Sequence, residues 1–202
     1  VILATGNPHK LREMSELLPG VELKPLPEGV ELPPETGKTF AANAMIKARA
    51  AHAATGEATI ADDSGIEATD LGGAPGIYSA RYAGEGASDE DNLAKLLREV
   101  DAAGGERRAA YVCVIALIDE EGYEYLFLAR CDGTLLREGR GSGGFGYDPA
   151  FVPDETGPHD QRTFSELSPA EKHAISHRGK AARMLARHLG LGAEAEVPES
   201  LP

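Results

Sequence analysis

The sequence predicts an α/β protein built on a mixed central sheet flanked by helices, and three observations carry that reading. Strand-like apolar runs alternate with helical periodicity in the first half of the chain. Tyr111 to Ile118 is apolar at both alternating positions, as a central strand covered on both faces must be. Glu120-Glu121-Gly122 then allows a hairpin into Tyr123 to Ala129, which requires an antiparallel pair in the same sheet.

The elements follow in order. Val1 to Ala4 is a short apolar run that stops at Thr5-Gly6-Asn7-Pro8, after which Leu11, Met14, Leu17 and Leu18 recur at helical spacing. The proline-rich segment Pro25 to Pro34 suits only loop or edge structure. Phe40 to Ala54 reads as an alanine-rich helix closed by Gly56, and Thr59 to Asp63 as the strand that returns from it. Ser88 followed by Asp89, Glu90 and Asp91 starts a further helix, with Leu93, Leu96, Leu97 and Val100 as its apolar stripe. Ser168-Pro169-Ala170-Glu171 is a capping box with proline at the first helical position, opening a terminal helical region. Residues 1–190 are expected to form one domain, and the acidic tail 191–202, which has no periodicity, to fray.

A chain of 202 residues that is 42% apolar can bury a substantial core. Its 20 basic and 33 acidic residues leave a net charge of −13, which argues against a general nucleic-acid or anionic-membrane surface. No stretch approaches the roughly 20 apolar residues of a membrane span, and VILATGN lacks the charged region and longer apolar core of a signal peptide. A soluble, cytoplasmic protein is the expectation. Cys113 and Cys131 sit in strand-like runs without metal-ligand spacing and read as buried thiols, which suits a reducing compartment.

Four segments could carry chemistry. Ala61-Asp62-Asp63-Ser64-Gly65 closes a strand-like run with two carboxylates; Mg2+ prefers such oxygen ligands and takes its remaining ones from water and phosphates. Alone, the same residues also make an Asp-rich turn. Thr5-Gly6-Asn7-Pro8-His9-Lys10 joins a strand to a helix, so its N–H groups and Lys10 can face an anion, although such turns are also ordinary connections. Gly141-Ser142-Gly143-Gly144-Phe145-Gly146-Tyr147-Asp148-Pro149 lets backbone approach a flat ligand, with two aromatic faces for stacking; its two aromatics and proline set it apart from a flexible linker. Lys172, His173, His177 and Arg178 form a basic island in an acidic protein, fitted equally to an anionic or carbonyl-rich ligand and to solvated helix ends. His173 and His177 lack an obvious third partner for zinc. Arg81, after Gly72-Gly73-Ala74-Pro75-Gly76-Ile77-Tyr78, reads as a phosphate or subunit contact or as plain surface.

Together ATGNPHK, ADDSG, LGGAPGIYSARYAG, GGFGYDP and EKHAISHRGKA, in this order and over nearly the whole chain, closely resemble the inosine triphosphate pyrophosphatase family, also called Ham1-like. The resemblance implies an elongated α/β molecule with two lobes, a nucleotide cleft between them and a homodimeric state. It implies Mg2+-dependent hydrolysis of dITP, ITP and XTP to the monophosphate and pyrophosphate. Carried over by position, Thr5, Gly6, Asn7, Pro8, His9 and Lys10 match the phosphate turn, Asp63 the proton acceptor and metal ligand, and Ser64 a substrate contact. Phe145, Gly146, Tyr147, Asp148, Lys172, His177 and Arg178 match the groups that hold the base and neighbouring parts of the nucleotide. Glu35 matches a second acidic metal residue. Where the family often has Glu-Asn-Ala, this chain has Ala42-Asn43-Ala44. The rival readings are a Maf-like pyrophosphatase with another base preference, a nucleotide-binding module without turnover, and an RNA-binding protein that stacks bases on the glycine-aromatic loop.

Overall fold

A computed structural model describes residues 1–191, so the tail expected to fray lies, from residue 192 on, outside the described residues. The strands are β1 (Ile2–Leu3), β2 (Lys24–Pro25), β3 (Thr59–Ala68), β4 (Arg108–Ile118), β5 (Glu124–Leu135) and β6 (Phe151–Pro153). They form one sheet in the order β2-β1-β3-β4-β5-β6. β1 runs parallel to β2 and β3, and the remaining pairs are antiparallel, so the sheet is mixed as the hairpin required. The helices are α1 (Pro8–Leu17), α2 (Phe40–Thr55), α3 (Asp89–Ala103), α4 (Pro169–Ile175) and α5 (His177–His188).

β4 is buried along ten of its eleven residues because both its faces are covered. Val112, Val114, Ala116 and Ile118 pack with Phe40, Ala44, Ala48 and Ala51 of α2. Cys113, Ile115 and Leu117 point the other way, to Met14 of α1 and Ala181, Ala182 and Leu185 of α5. A third core fills the far end of the sheet, where Ile66, Ala68, Tyr111, Cys131 and Leu135 meet Leu96 and Val100 of α3 together with Phe151 and Phe164. The helix limits follow local capping: Thr39 accepts from Ala42 N–H, Gly56 closes α2 at φ +68°, and Ser88–Asp91 and Ser168–Glu171 form complete capping boxes.

Three expectations are corrected. The strand expected to end at Asp63 continues to Ala68, paired with β4 at ten successive positions. Buried carboxylates are tolerated mid-strand because cations meet them, as described below. β5 runs past Ala129 to Leu135, since its alternate residues Phe127, Ala129, Cys131, Gly133 and Leu135 remain buried. The terminal helical region is two helices broken at Ser176, which ends α4 and caps α5 by accepting from Gly179 N–H. Gly179 allows the bend, because a Cβ there would lie 2.0 Å from the His173 carbonyl oxygen.

Cys113 and Cys131 are both buried and unbridged. No described helix is long and apolar enough to cross a membrane.

Candidate active site

β1 covers the outer edge of β3 only briefly, pairing with Thr59 and Ile60 before the chain turns off at Thr5. Past that point a cleft of about 470 Å³ opens beside Asp63, Ser64 and Gly65, a size within the usual range for small-molecule sites. A strand edge presents side chains to both sheet faces in alternation. Asp62 and Asp63 are therefore neighbours in sequence but sit in different surroundings.

Asp62 faces α1 and α5. It is 1% exposed and lies 3.0 Å from Lys10 Nζ and 3.3 Å from the Arg178 guanidinium. Burial pushes its carboxyl up, but Lys10, Arg178 and Lys47 outweigh burial and hold it well below the usual aspartate value. Arg178 also donates to Ser64 Oγ at 2.8 Å and to Glu13 Oε2 at 2.6 Å. Asp62 is thus held in its ionised form at neutral pH and anchors the cations.

Asp63 faces α2. Its Oδ1 accepts from Ser64 N–H at 3.0 Å and lies 4.0 Å from Lys47 Nζ, which bonds Glu35 Oε1 at 2.6 Å. Its Oδ2 is buried without a partner. Burial raises its pKa, Lys47 opposes the rise and Glu35 adds to it, so Asp63 sits above the ordinary aspartate value. One carboxylate held ionised and its neighbour made more basic is the division that acid–base chemistry uses.

At the other end of the cleft, Asp148 accepts from Tyr111 OH at 3.0 Å, Phe145 N–H at 3.0 Å and Lys172 Nζ at 2.7 Å. Phe145 is 38% exposed, with Lys172 Nζ and Arg178 Cζ at 5.2 and 5.8 Å from its ring centroid. Tyr147 is buried instead and anchors the loop through its OH, which donates to the Ser79 carbonyl at 2.7 Å. His177 stacks on Tyr111 at 4.6 Å between centroids. Burial, and then Arg178 and Lys172, push the His177 pKa well below normal. It is a neutral imidazole with an unpartnered Nδ1, so the basic island carries less charge than its sequence suggested.

The cleft gathers Thr5, Gly6, Asn7, Lys10, Glu35, Asp63, Ser64, Phe145, Gly146, Tyr147, Asp148, Lys172, His177 and Arg178. His9 is left out of it: its ring pairs with Arg12, and its backbone N–H caps onto Asn7. Pro8 occupies the first turn of α1, and His173 faces Glu16 at 3.9 Å. Sequence reasoning missed Lys47, Glu13, Tyr111, Ser79 and Asp89. Lys47 had a signal, since Asn43 and Lys47 are spaced i, i+4 among the buried alanines of α2, where polar residues are out of place.

Fold and cleft define an α/β protein in which the turn at the start of α1, a carboxylate of β3 with a raised pKa and the exposed Phe145 ring beside two cations line one cleft. The chain belongs to the Ham1 family, whose model matches residues 1–188. It is 48% identical over 191 residues to a dITP/XTP pyrophosphatase of Erwinia tasmaniensis, covering 92% of this chain and 91% of that one. A Geobacter sulfurreducens protein of the same description is 45% identical, covering 94% and 96%. Among solved structures, a HAM1 protein from Coxiella burnetii superposes with a TM-score of 0.84 at 43% identity, covering 95% of this chain and 98% of that one. A nucleoside-triphosphatase / dITP/XTP pyrophosphatase from Mycobacterium abscessus superposes at 0.73 with 44% identity, covering 93% and 97%.

Proposed function

We propose that this protein hydrolyses non-canonical purine nucleoside triphosphates, dITP, ITP and XTP, to the monophosphate and pyrophosphate, clearing them from the nucleotide pool of the cytoplasm. The observation that carries the reading is the order of groups along one cleft: the Thr5–Lys10 turn, then Asp63 with its raised pKa, then Phe145 beneath Lys172 and Arg178. The turn and Lys10 take the phosphates, and the ring takes the base. Asp63 orients a water and accepts its proton as the oxygen attacks the α-phosphorus; the α–β bridging bond breaks and pyrophosphate leaves. Donors at the base end then meet the six-position oxygen of hypoxanthine or xanthine, whereas the amino group of adenine sets donor against donor. Incubating the protein and Mg2+ with a panel of nucleoside triphosphates, with all phosphate products resolved, tests the reading. Release of inorganic phosphate rather than pyrophosphate, or equal activity on ATP, would overturn it.

Mg2+ suits the donors present. No group of three His, Cys, Asp or Glu among the described residues forms an all-protein cage, and Mg2+ does without one, taking one or two carboxylates beside substrate phosphates. Asp63, with its orphaned Oδ2, and Glu35 would hold it. The ion supplies neutralisation of phosphate charge. Lys47, bonded to Glu35 and 4.0 Å from Asp63, offsets part of the repulsion between the two acids.

Lys10→Ala is expected to weaken triphosphate binding by about tenfold or more while changing nucleoside binding little, because a point charge at the turn acts on phosphate. Isothermal titration with ITP and inosine checks this. Equal losses for both would remove Lys10 from the phosphate site.

We also infer a homodimer. Leu126 and Leu128 are 49% and 54% exposed on the face of β5 beyond α2, and Tyr78 is 56% exposed. Such apolar surface favours a protein partner, and Leu128→Glu should give a monomer by light scattering after gel filtration. A persistent dimer would place the interface elsewhere.

A further inference from the structure

Asp89 lines the cleft, yet neither the proposed chemistry nor the capping of its own helix uses it. Ser88 and Asp91 complete the capping box of α3 between them. The Asp89 carboxylate reaches out of the helix, and its Oδ2 accepts the backbone N–H of Gly146 at 2.7 Å, across 57 residues of sequence. The preceding N–H, that of Phe145, ends on Asp148 Oδ2 at 3.0 Å. The two peptide planes that flank the Phe145 Cα are therefore each pinned by a different carboxylate. Only two backbone torsions separate those planes, so fixing both fixes the direction in which the Phe145 side chain leaves the backbone. Gly146, at φ +62°, turns the chain so that its N–H meets Asp89 without a Cβ penalty.

We propose that Asp89 is a positioning residue for base recognition: by holding Gly146 it sets the direction in which Phe145 presents its ring to the purine that stacks on it. The structure supplies the converse as well. The Asp148 pin also binds Lys172 and Tyr111 and belongs to the floor of the cleft, whereas the carboxylate of Asp89 is exposed and, among the described residues, bonds only the Gly146 backbone N–H. Losing it frees the outer peptide of the loop and leaves the floor intact.

The proposal rests on the purine reading of the cleft, and its test separates the two. Asp89→Ala should raise the KM for ITP about tenfold, as expected for one charge-assisted hydrogen bond, with kcat within about twofold. Asp89→Asn keeps a carbonyl acceptor and should restore KM to within about twofold of the parent. In a Phe145→Ala background, adding Asp89→Ala should cost almost nothing more, because the two act through one ring. Amide exchange at Gly146 should accelerate in Asp89→Ala and not in Asp89→Asn, a readout that needs no substrate. Additive losses, an equal fall in kcat or unchanged Gly146 exchange would each overturn the role of Asp89. A parent protein inactive on ITP would overturn the functional reading alone, and the exchange measurement would still decide the tether.

Discussion

Asp63→Asn is expected to reduce turnover of ITP by about 10^3-fold, the scale of a lost general base, while nucleotide affinity falls far less. The substitution keeps the shape of the side chain and its Oδ1, which accepts the Ser64 N–H, but removes the basicity that burial and Glu35 confer. A KM within a few-fold of the parent beside a collapsed kcat identifies a group that acts in the transition state. Near-normal turnover would remove Asp63 from the chemistry. The direction of its pKa is open to a separate check: in the metal-free protein, the Asp63 carboxyl should titrate by NMR above the ordinary 3.8. Lys47→Met should raise that midpoint further, since Lys47 is the cation that opposes the rise. A midpoint at or below 3.8 would contradict the environment that makes Asp63 the base and Asp62 the fixed anion.

Local signals were the legible ones. Ser88–Asp91, Ser168–Glu171 and Gly56 act on backbone groups within a turn of themselves, so their capping roles can be read from spacing and are found in place. The alternation that parts Asp62 from Asp63 was also available from the two-residue period of a strand. It was obscured because carboxylates look like a strand end until Lys10, Arg178 and Lys47 are known to meet them. Those cations come from α1, α5 and α2, and nothing local brings them to β3. Glu13 is a similar case: on α1 it reads as a surface acid, yet it is the 2.6 Å partner of a buried arginine 165 residues away. His177 changed character through burial and its neighbours Arg178 and Lys172, which leave it uncharged, and Tyr147 through burial, which takes its free face. The Gly141–Pro149 loop was visible as a shaped segment, but which of its two rings faces the cleft depends on the bond from Tyr147 to Ser79.

Arg178→Ala is expected to damage stability and selectivity together, and the two effects can be separated. The guanidinium is 2% exposed and binds Glu13, Asp62 and Ser64, while its Nε is buried without a partner. Deleting it leaves Glu13 without its cation and Asp62 with Lys10 as its nearest one, a loss of about 3 kcal/mol at neutral pH by analogy with other broken buried pairs. The sign of the pH dependence follows from Asp62. Its folded-state pKa is depressed, so its stabilisation is present above the unfolded value near 4 and disappears as pH falls through the folded value. Removing Arg178 raises the folded value while leaving the unfolded one unchanged, so the gap between parent and variant in urea unfolding should narrow as pH falls from the variant's folded value towards the lower one of the parent. A gap that widens on acidification would mean that Asp62 is not the carboxylate Arg178 supports. Selectivity is read from the ratio of kcat/KM for ITP to that for ATP, which does not depend on how much of the variant is folded. If Arg178 donates to the purine carbonyl, that ratio should shrink by roughly 10- to 100-fold, because ATP has no such pairing to lose. An unchanged ratio would confine Arg178 to holding Asp62 and α1 in place, and recognition of the carbonyl would pass to Lys172, to the unpartnered nitrogen of His177 or to the backbone around Phe145.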